Sequence, residues 1–197
     1  SQDKFDTFNW ILKEYEKNNI IGEFYFMAQN IFHWRYDTGY KINNPCIKKL
    51  IKFIYDNGHV IGFHPGYSTF LNQKKFSEEA YLFKKACMEI GVEQKEYGGR
   101  MHYLRIKWPT TLHYWEKDNF QYDSSMGYAD IPGFRCGTCF DYQIYDHLND
   151  ILLAIVEKPL VFMDASILSD KYLNLGIGEK TLKYILNLKE KLSLIHI

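Results

Sequence analysis

The sequence predicts an α/β fold, a parallel sheet with helices packed outside it. Three observations carry this expectation. Short apolar stretches over residues 20–28, 59–63, 120–123, 151–156 and 160–164 have the length and composition of buried strands. Stretches with helical spacing alternate with them, over 1–19, 45–57, 77–90, 109–119 and 179–192. No repeat, low-complexity tract or linker interrupts the 197 residues, a length that suits one domain with a sizeable core.

Each element has its own signals. The helix over 1–19 takes Asp6 or Thr7 as cap and presents Phe8, Ile11, Leu12 and Tyr15 at helical spacing. The run 20–28 (IIGEFYFMA) reads as a buried strand, and 30–44 as a polar, aromatic loop. Pro45 suits the first turn of the next helix, Ile47, Leu50, Ile51 and Ile54 form its stripe, and Gly58 ends it. The strand 59–63 follows. Ser77 caps a helix that carries Ala80, Phe83 and Cys87, and a strand surrounds 96–104. Pro109 opens the helix to 119. In parallel sheets ligands gather at the carboxyl ends of strands, and His64, Arg105, Asp123 and Asp164 lie at or just past such ends.

Composition narrows the partners. Lysine plus arginine equals aspartate plus glutamate, 24 each, which argues against nucleic acid or an anionic membrane surface as partner. No apolar run is long enough to span a bilayer. The 16 tyrosines suit a sugar-binding cleft, since each offers a flat apolar face and a polar tip, and suit an aromatic-rich core equally. The cysteines are Cys46, Cys87, Cys136 and Cys139. The last two form C-G-T-C without a second such pair, in loop-like sequence, so they read as structural rather than as a zinc ribbon or thioredoxin-like site. This usage fits a reducing cytoplasm.

The stretch HVIGFHPGYS (59–68) holds the leading candidate. A metal site needs two or three converging histidines or carboxylates, and His64 can supply one. An i, i+4 partner would strengthen the case, but Ser68 stands there. Taken alone, His64 fits a hydrogen-bonded strand-end histidine as well as a ligand. His59 reads as structural, and so do His33, His113 and His147. In GGRMHYLR (98–105), Arg100, His102 and Arg105 follow paired glycines. Such an arginine orients a carboxylate or binds a substrate oxygen, or else sits in a surface ion pair. YDSSMGYADIPGFRCGT (122–138) combines Asp123, Ser124 and Arg135 in a glycine-punctuated loop of substrate-facing character. The absence of G-x-S-x-G, P-loop and GxGxxG patterns disfavours serine hydrolases, nucleotide hydrolases and dinucleotide oxidoreductases.

In combination and order, TFNWILKEYEKNNIIGEFYFM, NPCIKKLIKFIYDNGHVIGFHPGYST, GGRMHYLR with WP, YDSSMGYAD, GFRCGT and PLVFMDASIL resemble the polysaccharide deacetylases. These are the NodB-like proteins of carbohydrate esterase family four, in particular a bacterial branch whose metal motif reads G-H-E-I-G-x-H-P-S-Y. The resemblance runs from about Phe5 to Leu188. It implies a distorted (β/α) barrel, incomplete in this chain, that hydrolyses acetyl groups on sugars with a divalent metal, zinc foremost. Carried over by position, His64 matches the first histidine ligand, and Ser68 stands where the second belongs. Arg105 resembles the arginine that orients the base, with Arg100 as rival. Asp123 and Ser124 match the later D-S motif. Tyr67, Arg100, His102 and Arg135 are the residues expected to contact an acetylated carbohydrate.

The ends bear on activity. The last six residues, LSLIHI (192–197), match the in-frame translation of a transposase adapter used in shotgun sequencing. The expectation is therefore one partial domain over 1–191, with the family's paired-aspartate strand and catalytic histidine outside it and with no activity on its own. Ser68 supports an alternative, a carbohydrate-binding relative that has lost its metal. A redox role for Cys136 and Cys139 is a third reading.

Overall fold

A computed structural model describes residues 6–28, 36–37 and 39–194. His33, residues 30–35 and 38 of the predicted 30–44 loop and residues 195–197 of the adapter match lie outside the described residues. The chain forms two compact units, Ser1–Arg100 and Met101–Ile197.

The first unit contains α1 (Phe8–Lys17), β1 (Glu23–Phe26), α2 (Pro45–Asp56), β2 (Val60–Phe63), α3 (Gln73–Glu89) and β3 (Gly98–Gly99). β1 and β2 are parallel, with Glu23 opposite Val60 and Phe26 opposite Phe63. β2 and β3 are parallel, with Phe63 opposite Gly99. Both connections are helical crossovers, the only short route between parallel neighbours. α2 begins where Pro45 predicts, and the Asn44 side chain accepts from Cys46 N at 2.8 Å. Such a cap stabilises a helix by about 1 kcal/mol. Gly58, at φ +83°, lets the chain leave α2 in the left-handed conformation glycine tolerates. Ile51, Ile54, Ile61, Phe63, Phe76 and Phe83 are fully buried, with the Phe63 ring stacked on Phe83 at 5.3 Å and edge-on to Phe76 at 5.6 Å.

Two expectations are corrected here. α3 begins at Gln73 rather than at Ser77, because the Asn72 side chain accepts from Lys75 N at 3.0 Å and caps the helix one turn earlier. The strand predicted over 96–104 shrinks to two residues followed by a 3-10 turn at His102–Leu104. Gln94 explains the shortness. Its side-chain amide accepts from Ile61 N at 2.7 Å and donates to Ile61 O at 2.8 Å, replacing a stretch of strand ladder.

The second unit contains that 3-10 turn, α4 (Thr110–Lys117), β4 (Tyr122–Asp123), β5 (Tyr142–Asp146), β6 (Ile151–Glu157), α5 (Asp164–Leu168) and α6 (Glu179–Leu194). β4 and β6 are parallel, with Tyr122 opposite Val156 and Asp123 opposite Glu157. β5 and β6 form an antiparallel hairpin that the sequence reading did not include. Leu112, Trp115, Ile144, Leu153 and Ile155 are fully buried. The hairpin turn is closed by Asp146, which accepts from Leu148 N (2.8 Å), Asn149 N (3.2 Å), Asn149 Nδ2 (2.7 Å) and His113 Nε2 (2.7 Å). His113, read as structural, thus ties α4 to the hairpin. The strand predicted over 160–164 is not formed. Asp164 starts α5 instead, exposed, its carboxylate accepting from Ala165 N at 2.8 Å.

The class is thus mixed α/β with mostly parallel strands, and three strands leave the sheet of each unit open. No described helix is long and apolar enough to cross a membrane.

Candidate functional site

The pleat of the first sheet decides which side chains share a face. Side chains alternate along a strand, and register partners point the same way. Phe63 faces the helices, so Gly62 and His64 face away from them, and Tyr25, opposite Gly62, faces with them. Arg100 follows Gly99, the partner of Phe63, and belongs to the same side. Its guanidinium lies 5.2 Å from the Tyr25 ring centroid, a cation–π contact. Gly62 makes room for that ring, since a Cβ there would lie 2.3 Å from Tyr25 Cδ1.

His64 stands just past the end of β2, half-buried, its main-chain N–H donating to Phe26 O at 3.0 Å. Its Nδ1 lies 2.6 Å from Arg100 O. A carbonyl only accepts, so Nδ1 carries the hydrogen and Nε2 of the neutral ring carries the lone pair. Metal-binding histidines are commonly oriented in this way, by a carbonyl that holds the other ring nitrogen. The donor chemistry of His64 thus fits a divalent metal. Ser68 fits one poorly, since the Lys75 ammonium lies 3.4 Å from its Oγ. Among the described residues no group of three or more histidine, cysteine, aspartate or glutamate side chains is gathered for a metal.

The turn after His64 is firmly held. Gly66 N donates to Glu79 Oε2 at 2.8 Å and Tyr67 N to Asp37 Oδ1 at 2.9 Å. The Tyr67 ring stacks on Tyr36, centroids 4.3 Å apart and planes within 14°. His59 sits at the other end of β2, where its Nδ1 accepts from Gly22 N at 3.1 Å between the Tyr15 and Phe24 rings. It lines a cavity of about 610 Å³ with Leu12, Ile20 and Phe53. Its reading as a structural residue agrees with that bond.

In the second unit Asp123 is fully buried at the end of β4. It accepts from Ser125 N (3.0 Å) and Ser125 Oγ (2.7 Å), and Ser125 Oγ accepts from Met101 N at 2.8 Å. This chain of bonds ties Asp123 to the backbone next to His102, whose ring packs edge-on against Tyr103 at 4.7 Å. Arg105 closes the 3-10 turn, its N–H donating to His102 O at 3.3 Å. Ser124 is buried beside Asp123. Arg135 donates from Nη1 to Gly127 O at 3.0 Å and so braces the loop that Asp123 begins.

One residue was missed. Glu157 is fully buried, opposite Asp123 in register, so both carboxyl groups lie on one face at the ends of adjacent parallel strands. Glu157 Oε1 accepts from Met126 N at 2.9 Å. The predicted strand stopped at Val156, one residue short, and an acid at a strand end was the signal available. The Cys136 thiol lies near this pair. Burial, foremost, and the charges of Glu157 and Asp123 push its pKa up, the opposite of a thiol tuned for redox work.

No family model and no curated protein matches the chain. A solved structure does. The crystal structure of a candidate polysaccharide deacetylase from Mycobacterium smegmatis matches with a TM-score of 0.59 at 16% identity, over 94% of this chain. The likeness is one of fold. The chain spans 59% of that protein's length.

Proposed function

We propose that the chain belongs to a metal-dependent hydrolase that removes acetyl groups from an acetylated sugar or polysaccharide. The observation that carries this reading is the His64 ring, oriented at Nδ1 by Arg100 O, which makes Nε2 the lone-pair nitrogen of the neutral ring. The shared fold with a candidate polysaccharide deacetylase is consistent with it. His64 would hold the metal, zinc being the first choice for an imidazole donor. When bound, such a metal supplies Lewis-acid polarisation of the acetyl carbonyl. Asp123, with Ser124, takes the supporting role of the D-S motif, and Arg105 the orienting role, that the family resemblance implies. Tyr67, Arg100, His102 and Arg135 are proposed as carbohydrate contacts, with the Tyr36–Tyr67 stack offering an apolar surface for a sugar ring.

A second reading is favoured by one observation. The Lys75 ammonium beside Ser68 opposes a cation at the position of the second ligand. On this reading the protein binds carbohydrate without cutting it. Zinc content of the full-length protein, before and after His64→Ala, separates the two, with acetate release from N-acetylated chito-oligosaccharides measured alongside. Stoichiometric zinc that disappears in His64→Ala supports the hydrolase. Oligosaccharide binding with no zinc in either protein refutes it in favour of the binding module.

A further inference from the structure

The turn that follows His64 rests on two carboxyl groups from different elements. Glu79 comes from the second turn of α3, Asp37 from the chain ahead of α2. Each holds one main-chain N–H, of Gly66 and Tyr67 respectively. Both converge on the space that Gly66 leaves empty: a Cβ there would lie 3.0 Å from Glu79 Oε1, 3.3 Å from Glu79 Oε2 and 3.3 Å from Asp37 Oδ2. Any larger residue at position 66 would have to displace them. Glu79 is only 8% exposed, an uncommon setting for a glutamate with no basic side chain hydrogen-bonded to it among its described contacts.

The charged groups that face Glu79 are Asp37 from across the turn and Lys75 and Glu78 from its own helix. Burial pushes the Glu79 carboxyl up to about 7; Asp37 and Glu78 add to the rise, while the Gly66 N–H and Lys75 oppose it. Deprotonation therefore places a negative charge on a largely buried group that faces the Asp37 carboxyl. Relief comes from moving the turn off α3 and letting water in.

We propose that Glu79 and Asp37 are positioning residues that latch the turn bearing His64 and Tyr67, with the latch closed while Glu79 holds a proton and loosened when both carboxyls are charged. The functional meaning of the latch rests on the reading of that turn as part of the site; the latch itself does not. Its loosening reduces the precision with which Tyr67 is held, so carbohydrate binding by this unit weakens as pH rises through neutrality.

The test is NMR of the isotopically labelled full chain from about pH 3 to about pH 9, a range that brackets an ordinary glutamate and a strongly raised one. The Glu79 carboxyl carbon and amide exchange at Gly66 and Tyr67 are followed in wild type, Glu79→Gln and Asp37→Asn. Wild type is expected to titrate near neutrality, with exchange protection at both amides falling about tenfold across the same step, beyond the intrinsic base catalysis. Glu79→Gln is expected to stay protected throughout, and Asp37→Asn to move the step to lower pH, since one like charge is gone. An ordinary acidic titration of Glu79 overturns the proposal, as does a protection step that persists in Glu79→Gln. If Glu79→Gln does not fold, the direction of the Asp37→Asn shift decides. None of these readouts needs metal or sugar, so failure of the hydrolase reading leaves the latch testable, and failure of the latch leaves zinc binding by His64 untouched.

Discussion

Replacing Gly99 by alanine tests the packing of β3 on β2 directly. A Cβ on Gly99 would lie 1.7 Å from Phe63 O, 2.7 Å from Phe63 C and 2.9 Å from Phe63 N. All three are backbone atoms, so no rotamer change relieves the clash. Ordinary contact begins at 3.4 Å, and 3.4 − 1.7 requires a withdrawal of about 1.7 Å. The Arg100 N to Phe63 O bond, now 3.0 Å, would stretch to about 4.7 Å, outside hydrogen-bonding range. Stranding those buried groups costs about 1–3 kcal/mol, and loss of the His64–Arg100 O bond adds about 1 kcal/mol. The sum, about 3 kcal/mol, lies in the upper part of the range for single substitutions. Urea unfolding followed by circular dichroism, with a slope of about 2 kcal/mol/M, should show a midpoint lowered by about 1.5 M. Gly39→Ala is the control, because nothing lies within 4 Å of a Cβ there. A Gly99→Ala midpoint within about 0.3 M of wild type refutes the reasoning, since β3 would then not be pressed against β2 as described.

Two further outcomes are expected. The four hydrogen bonds to Asp146 hold its carboxyl well below the usual range, the Asn149 side chain first and His113 after it. A depressed acid stabilises the fold above its unfolded pKa and loses that contribution as pH falls through the folded one. The melting-temperature gap between wild type and Asp146→Asn should therefore be widest near neutrality and narrow progressively as pH falls below about 4; a gap independent of pH contradicts this. Cys87 is buried, and burial pushes its thiol up to about 12, whereas Cys46 is exposed. A thiol reagent applied to the native chain near pH 8 should label Cys46 and spare Cys87 until the chain unfolds. Rapid native labelling of Cys87 would show that α3 does not pack as placed.

Elements set by local chemistry were legible in the sequence. Pro45, the isoleucine stripe and Gly58 delimit α2 within one residue, and the apolar run before His64 is β2. Misreadings arose where a side chain did a backbone's work. Asn72 moved the start of α3, and Gln94 stood in for most of the strand expected over 96–104. The run PLVFMDASIL looked like a buried strand because it is apolar, but Phe162 is 43% exposed and the helix α5 begins at Asp164. β5 offers one fully buried apolar residue, Ile144, too little for period-two patterning to register. His64 and Arg100 were both singled out, yet the bond between them runs through a carbonyl that no side-chain pattern encodes. The pairing of Asp123 with Glu157 and of Asp37 with Glu79 depends on register and crossover, which separate the partners widely along the chain.

The main-chain partner of His64 has an evolutionary consequence. Because Arg100 contributes its carbonyl, the aim of the imidazole survives any substitution at position 100 that keeps the strand in place. Genetic drift can rewrite that guanidinium, and whatever it recognises, without retuning the histidine. Orientation is inherited from the sheet and recognition from the alphabet of side chains. Lineages sharing this backbone are thereby free to change what they bind while keeping the ring pointed the same way.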